Sequence, residues 1–108
     1  MKVFFDECVP RPLRKLLGGH EIKTAQELGW GRLKNGELIQ RAEAERFEVF
    51  VTSGQNLQYQ QNLSGRRIAL LVLSTNYWPA LRKHHALVAA ALLDVRPGSY
   101  RNLTVPLD

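Results

Sequence analysis

Short continuous runs of apolar residues recur along the chain, and each is followed by a polar or charged segment. Such runs are typical of strands that are buried on both faces, as in a parallel sheet. Between them, apolar residues recur at helical spacing, as at Leu13, Leu16 and Leu17. This alternation predicts an α/β fold with helices on both faces of a mostly parallel, five-stranded sheet. The predicted strands cover residues 2–5, 20–25, 48–52, 68–73 and 100–105.

Two of the predicted helices carry residues of chemical interest. The longest runs from about Pro79 to Asp94, and its apolar stripe includes His84, which we interpret as a structural residue. Another helix opens near Asn35, which is a good N-cap residue. It places Glu37 in the first turn, where the helix dipole favours an ionised acid whether or not it has a function.

Chain length and composition predict one domain that spans residues 1–108. Hydrophobic residues make up 44% of the chain, which is typical of a globular domain. The single cysteine, Cys8, excludes an intramolecular disulfide and a zinc site built on paired cysteines. No signal peptide is visible, and no apolar stretch approaches the roughly 20 residues of a membrane span. We therefore expect a cytoplasmic protein with no membrane association.

The net charge is +5, and such a balance favours polyanionic partners, including RNA or an acidic protein. The alternative is a solvated basic surface that binds nothing. Basic residues cluster shortly after the first strand and again just before the helix that opens near Asn35. If RNA is the partner, we expect phosphate contacts from Arg11, Arg14, Lys15, Arg32 and Lys34.

Two adjacent acids, Asp6 and Glu7, directly follow the first strand. Parallel strands bring their carboxyl ends to one edge of the sheet, where open α/β folds bind ligands. Neighbouring carboxylates repel each other unless a cation, a proton or basic side chains relieve them. Asp6 is therefore a candidate ligand for a divalent metal. The alternative is that this acidic pair merely ends a strand and caps the next helix.

Five segments carry distinctive residues: KVFFDECVP at 2–10, ELGW at 27–30, LKNGEL at 33–38, TSGQNL at 52–57 and QQNL at 60–63. In this order and spacing they resemble a family of small bacterial PIN-like domain proteins, over the chain as far as about Leu73. The resemblance implies a three-layer α/β/α PIN-like fold. It also implies a ribonuclease that depends on Mg²⁺ or Mn²⁺, and many such domains are toxins of toxin–antitoxin pairs.

The resemblance also implies site residues. The acids that bind metal and support catalysis fall on Asp6 and Glu37, and Glu7 is a further metal ligand beside Asp6. The family usually has an acid where this chain has Gly54, whereas Asn56 is retained and is expected to contact nucleic acid. Mg²⁺ can be held by one or two carboxylates with waters and substrate phosphates. We therefore expect a weakened metal centre rather than none.

Two functions remain open on these grounds. The first is a metal-dependent ribonuclease with a weakened centre. The second is a PIN-like module without catalysis that binds RNA or an antitoxin-like protein, and a homodimer is also open. A receiver-like doubly wound domain is disfavoured, because the chain lacks a phospho-acceptor context and a lysine after the last strand, where Arg101 is no substitute.

Overall fold

The computed structural model describes residues 1–33, 35–53 and 66–108, in which a single sheet is covered by helices on both faces. The strands are β1 (Lys2–Phe5), β2 (Glu21–Thr24), β3 (Val49–Thr52), β4 (Ala69–Leu73) and β5 (Tyr100–Leu103). They lie in the order β2-β1-β3-β4-β5, and every neighbouring pair is parallel. The predicted three-layer α/β/α fold with five strands is confirmed, and its sheet is parallel throughout.

The helices divide between the two faces of the sheet. Their bounds are a 3-10 helix (Arg11–Leu16), α1 (Ala25–Leu28), α2 (Asn35–Ala44), α3 (Trp78–Lys83) and α4 (His85–Asp94). The 3-10 helix, α3 and α4 pack in one apolar cluster with Phe5 of the central strand. On the other face, α1 and α2 pack in a second cluster with Phe4. None of the helices in the described ranges is both long enough and apolar enough to cross a bilayer.

The centre of the sheet is formed by β1, β3 and β4, as predicted. Phe4, Phe5 and Phe50 have no exposed surface, because helices cover both sides of these strands. Each fully buried side chain of this kind contributes about 1.5–3 kcal/mol to folding by leaving water. The continuous apolar runs in the sequence are therefore explained by burial on both faces.

An aromatic cluster joins the loop after α1 to the sheet. Phe4 stacks on Trp30 and on Phe50, with ring centroids 5.4 and 5.2 Å apart. Phe47 packs edge-on against Phe4 and Trp30. Trp30 is 8% exposed, so this loop is held against the end of the sheet. That anchoring matters for the candidate site, because Gly31 directly follows Trp30.

The prediction of one continuous helix near the end of the chain is wrong. The helix expected from about Pro79 to Asp94 is two helices, and His84 separates them with φ −109° and ψ 26°. The His84 N–H closes the end of α3 by donating to Ala80, and its ring Nε2 lies 3.2 Å from the carbonyl oxygen of Asp108. Apolar spacing could not reveal this break, because both helices bury residues on the same side.

Candidate active site

Asp6 lies at the carboxyl end of a central strand. Its backbone N–H donates to the carbonyl oxygen of Val51 at 2.9 Å, so it still pairs with β3. Its own carbonyl then accepts from the N–H of Val9 at 3.0 Å, and this bond begins the turn away from the sheet. The side chain is half-buried. Strand pairing therefore sets the position of this carboxylate, which is the more rigid kind of support for a functional group.

Both oxygens of the Asp6 carboxylate accept hydrogen bonds from the protein. Oδ1 accepts from the N–H of Glu7 at 2.8 Å, and Oδ2 accepts from the hydroxyl of Thr52 at 2.9 Å. Thr52 is fully buried at the end of β3. The Cys8 thiol is a third, weaker donor to Oδ2 at 3.7 Å, and since a carboxylate has about four lone-pair positions, one is left for a cation. The carboxylate is thus held in one orientation and keeps the capacity to bind metal.

Cys8 completes this group of polar side chains. Its Sγ lies 3.4 Å from Thr52 Oγ1 and 3.7 Å from Asp6 Oδ2, and it accepts the backbone N–H of Ser53 at 3.3 Å. The sequence analysis used Cys8 to exclude a disulfide and a zinc site built on paired cysteines, and it did not assign Thr52 to the site. The pairing of Phe5 with Val51 extends by one residue to Asp6 and Thr52, and this register, which the sequence pattern does not specify, brings the two side chains together.

Glu7 is exposed beside the loop that Trp30 anchors. A β-carbon at Gly31 would lie 3.4 Å from Glu7 Oε2, so this glycine borders the carboxylate closely. On the same side, the Gln26 amide donates to the Glu7 carbonyl at 3.2 Å. The two adjacent acids therefore have different surroundings, because Asp6 faces β3 while Glu7 lies near the loop after α1.

Glu37 lies in the first turn of α2 and is exposed. The helix begins at Asn35 itself, one residue earlier than an N-cap at that position would imply. In the ranges 1–33, 35–53 and 66–108, no three His, Cys, Asp or Glu residues are grouped closely enough to hold a metal ion together. Asp6, Glu7 and Glu37 are thus not assembled as a trio there. A metal bound by one or two carboxylates, waters and substrate phosphates is compatible with this arrangement.

Arg14 has a structural partner rather than a free guanidinium. Its Nη1 donates to Glu27 Oε1 at 2.7 Å and to the carbonyl oxygen of Ile22 at 3.3 Å. The same Glu27 oxygen accepts the N–H of Thr24, and the Thr24 hydroxyl accepts the N–H of Glu27 in a capping box. The Nη1 group of Arg14 is therefore engaged within the protein, and a phosphate contact from this side chain stays a prediction.

The pKa of Glu27 reflects this engagement. Partial desolvation raises the pKa of its carboxyl group, but the Thr24 N–H and the Arg14 guanidinium outweigh desolvation and hold the pKa below its ordinary value. An ionised Glu27 thus links the 3-10 helix to the start of α1. This ion pair is partly exposed, so its contribution to stability is modest, on the order of 1 kcal/mol or less.

Three of the other residues expected to contact RNA are exposed, and two are not described by the structure. Arg11 and Lys15 are exposed on the 3-10 helix, and Arg32 is exposed two residues after Trp30. These three side chains are available to a polyanion. Lys34, Gly54 and Asn56 lie outside the described residues.

No protein-family model, curated protein or solved structure matches the chain. The function is therefore inferred from the residues of the site. The group at the carboxyl edge comprises the Asp6 carboxylate, the Thr52 hydroxyl that donates to it and the Cys8 thiol, and the carboxylate is the hard oxygen ligand that Mg²⁺ and Mn²⁺ bind. Such a donor set fits a divalent cation held mainly by Asp6.

Proposed function

We propose that the protein is a PIN-like ribonuclease that depends on Mg²⁺ or Mn²⁺ and has a weakened metal centre. The observation that supports this proposal most directly is the orientation of Asp6. Its carboxylate projects from the carboxyl end of a buried central strand and is held by the Glu7 N–H and the Thr52 hydroxyl. A carboxylate oriented in this way is suited to bind a cation against a phosphate.

Each residue has a distinct role in this proposal. Asp6 holds the metal, and an exposed carboxylate from Glu7 or Glu37 adds a second oxygen ligand. When bound, the metal lowers the pKa of water and neutralises charge on the phosphate. The Thr52 hydroxyl keeps the Asp6 carboxylate in one rotamer, as outer-sphere donors do at metal sites.

RNA is the proposed substrate. Exposed Arg11, Lys15 and Arg32 supply positive charge that contacts the phosphates of the strand. The cytoplasm is the expected location, because RNA is available there and the single cysteine requires no oxidising compartment. In a toxin–antitoxin setting, the same basic surface would be covered by an acidic antitoxin-like protein.

A second candidate function is a PIN-like module that binds RNA or a protein partner without cleaving it. Two observations favour it. The chain has Gly54 where the related family has an acid. The described part of the chain also contains no group of three potential metal-binding side chains. Under this proposal Asp6 stabilises the end of β1 through its hydrogen bonds, and the basic residues alone bind the partner.

Calorimetric titration with Mn²⁺, combined with an RNA-cleavage assay, separates the two functions. We expect wild type to bind Mn²⁺ and to cleave RNA slowly. Asp6→Asn keeps the size of the side chain but removes its negative charge, so this variant should lose both Mn²⁺ binding and RNA cleavage. Glu21→Gln is the matched control, because Glu21 is an exposed acid at the amino end of β2. A wild type that neither binds Mn²⁺ nor cleaves RNA would exclude the nuclease and leave the binding module.

A further inference from the structure

A cavity lies at the opposite edge of the sheet, where the strands begin. Its volume is about 650 Å³, within the usual range for small-molecule pockets. Residues just before or at the start of β1, β3 and β4 line it, together with the loop that precedes β5. We call this cavity the amino-edge pocket. Its charged lining residues are Glu43, Arg46, Glu48, Arg67 and Arg96.

In the described part of the chain, the arginines of the amino-edge pocket form no ion pairs. Among the described residues, none of the three arginines lies within 4.0 Å of a carboxylate oxygen in an ion pair. Glu43 is already engaged, because its Oε2 accepts the backbone N–H groups of Arg67 and Ile68 at 2.7 and 3.0 Å. Glu48 is exposed. With three arginines against two glutamates, the lining of the pocket carries a net positive charge.

Arg46 adopts a backbone conformation that usually belongs to glycine. It has φ +67° and is the non-glycine residue with positive φ in the described ranges. The Phe47 N–H donates to Ala42 and the Arg46 N–H to Glu43, which is the Schellman pattern at the end of α2. Glycine normally fills this position because a β-carbon there is unfavourable. The two Schellman hydrogen bonds therefore fix the backbone of Arg46 at the rim of the pocket.

The other two arginines lie on loops that are fixed to each other. The Gly98 N–H donates to the carbonyl oxygen of Arg67 at 2.7 Å. Gly98 has φ +75°, and a β-carbon there would lie 2.8 Å from the Arg66 carbonyl oxygen, so only glycine permits this approach. The Ser99 N–H donates to the carbonyl oxygen of Arg96 and closes the turn. The backbones that carry Arg67 and Arg96 are therefore preorganised, which lowers the entropic cost of binding.

We propose that the amino-edge pocket binds the phosphate group of a small phosphorylated molecule through Arg46, Arg67 and Arg96. Guanidinium groups match the oxygens of phosphate in geometry and charge. The volume exceeds that of phosphate alone, and the apolar part of the lining, which includes Val95 and Pro97, accommodates an organic group. This site is separate from the carboxyl edge, so the phosphate-binding proposal does not depend on the ribonuclease proposal.

The test measures binding by calorimetry at constant ionic strength, with inorganic phosphate and with a nucleoside monophosphate as probes. Arg96→Gln and Arg46→Gly should each weaken binding at least about tenfold, because each removes a charge-assisted hydrogen-bond donor. Arg82→Gln is the matched control, since Arg82 is exposed in the last turn of α3. It should change affinity less than about twofold. Tighter binding of the monophosphate than of phosphate would assign the source as a phosphorylated organic molecule, and equal binding would assign free phosphate.

Arg46→Gly also separates the effect on stability from the effect on phosphate binding. Glycine removes the β-carbon at positive φ, so the thermal midpoint without ligand should rise by roughly 2–5 °C while phosphate affinity falls. The proposal is overturned if wild type binds neither probe at millimolar concentration. It is also overturned if Arg82→Gln weakens binding as much as Arg96→Gln does, or if Arg46→Gly folds and binds both probes as tightly as wild type does.

Discussion

The two edges of the sheet position their charged residues in different ways. At the carboxyl edge, Asp6 continues the pairing of β1 with β3, and the buried Thr52 on the neighbouring strand donates to it. At the amino edge, Arg46 and Arg96 lie outside the strands, and tight turns hold their backbones. A strand end needs only the register of the sheet to fix a functional group, whereas a loop needs a strained residue or a close glycine contact to do so.

The largest expected effect tests the importance of Asp6. If its carboxylate is the main metal ligand, Asp6→Asn should reduce RNA cleavage at least about 100-fold, which corresponds to about 2.7 kcal/mol. The asparagine keeps one acceptor oxygen for the Glu7 N–H, and its NH₂ group can donate to the Thr52 hydroxyl oxygen, so the thermal midpoint should fall only modestly. Initial rates with saturating Mn²⁺ measure the effect. An unchanged rate would show that the carboxyl edge is not the reactive edge.

The close approach of two loops at the amino edge should make that edge sensitive to a single added methyl group. Gly98→Ala places a β-carbon against the Arg66 carbonyl at positive φ, and we expect a loss of about 2 kcal/mol in the free energy of unfolding. Gly18→Ala is the control, because no atom lies within 4 Å of a β-carbon built there. Urea denaturation compares the two variants. Equal stabilities would mean that the close approach of these loops is not required.

Thr52→Val sharpens the role of strand register at the carboxyl edge. The substitution keeps the shape of the side chain and removes the hydroxyl that donates to Asp6 Oδ2. Loss of such an orienting donor should weaken Mn²⁺ binding about tenfold. Thr104→Val, at an exposed position beyond β5, should leave Mn²⁺ affinity unchanged. Similar affinities for wild type and Thr52→Val would imply that the carboxylate is oriented without this donor.

Gly54→Asp tests whether the missing acid weakens the metal centre. The new carboxylate should tighten Mn²⁺ binding and raise RNA cleavage together, each by several-fold, on the order of 1 kcal/mol. The thermal midpoint shows whether the variant folds. In the background of Asp6→Asn, the same change should give no gain if both acids serve one metal. A folded Gly54→Asp protein that binds Mn²⁺ no better than wild type would contradict the weakened centre.

The smallest effect concerns the ion pair between Arg14 and Glu27. Because the pKa of Glu27 is lowered in the folded protein, this carboxylate stabilises the fold above its unfolded pKa, and the stabilisation is lost as the pH falls through the folded value. Wild type should therefore lose more stability than Glu27→Gln between about pH 6 and about pH 3, by less than about 1 kcal/mol. Glu21→Gln serves as the control. If the stabilities of wild type and Glu27→Gln changed in parallel with pH, the ion pair would have no stabilising role.

The spacing of apolar residues predicted the helices less accurately than the continuous apolar runs predicted the strands. The apolar runs before Asp6 and before Thr52 marked central strands correctly, because burial on both faces leaves no room for polar residues. The stripe around His84 predicted one helix where there are two, since a break that keeps both halves on the same face leaves the spacing intact. The ion pair of Arg14 with Glu27 joins residues 13 positions apart, and no local pattern signals it.

The sequence by itself determined the parallel sheet, its buried centre and the delivery of Asp6 to the carboxyl edge, because the alternation of apolar and polar residues is a local property. Only the tertiary structure decided which groups meet there and at the opposite edge. Thr52 reaches Asp6 through the register of two strands, and Arg46 and Arg96 line one pocket although 50 positions separate them. Such contacts depend on strand order and on turn geometry. These bring together segments that are far apart in the sequence and whose local patterns do not indicate that they meet.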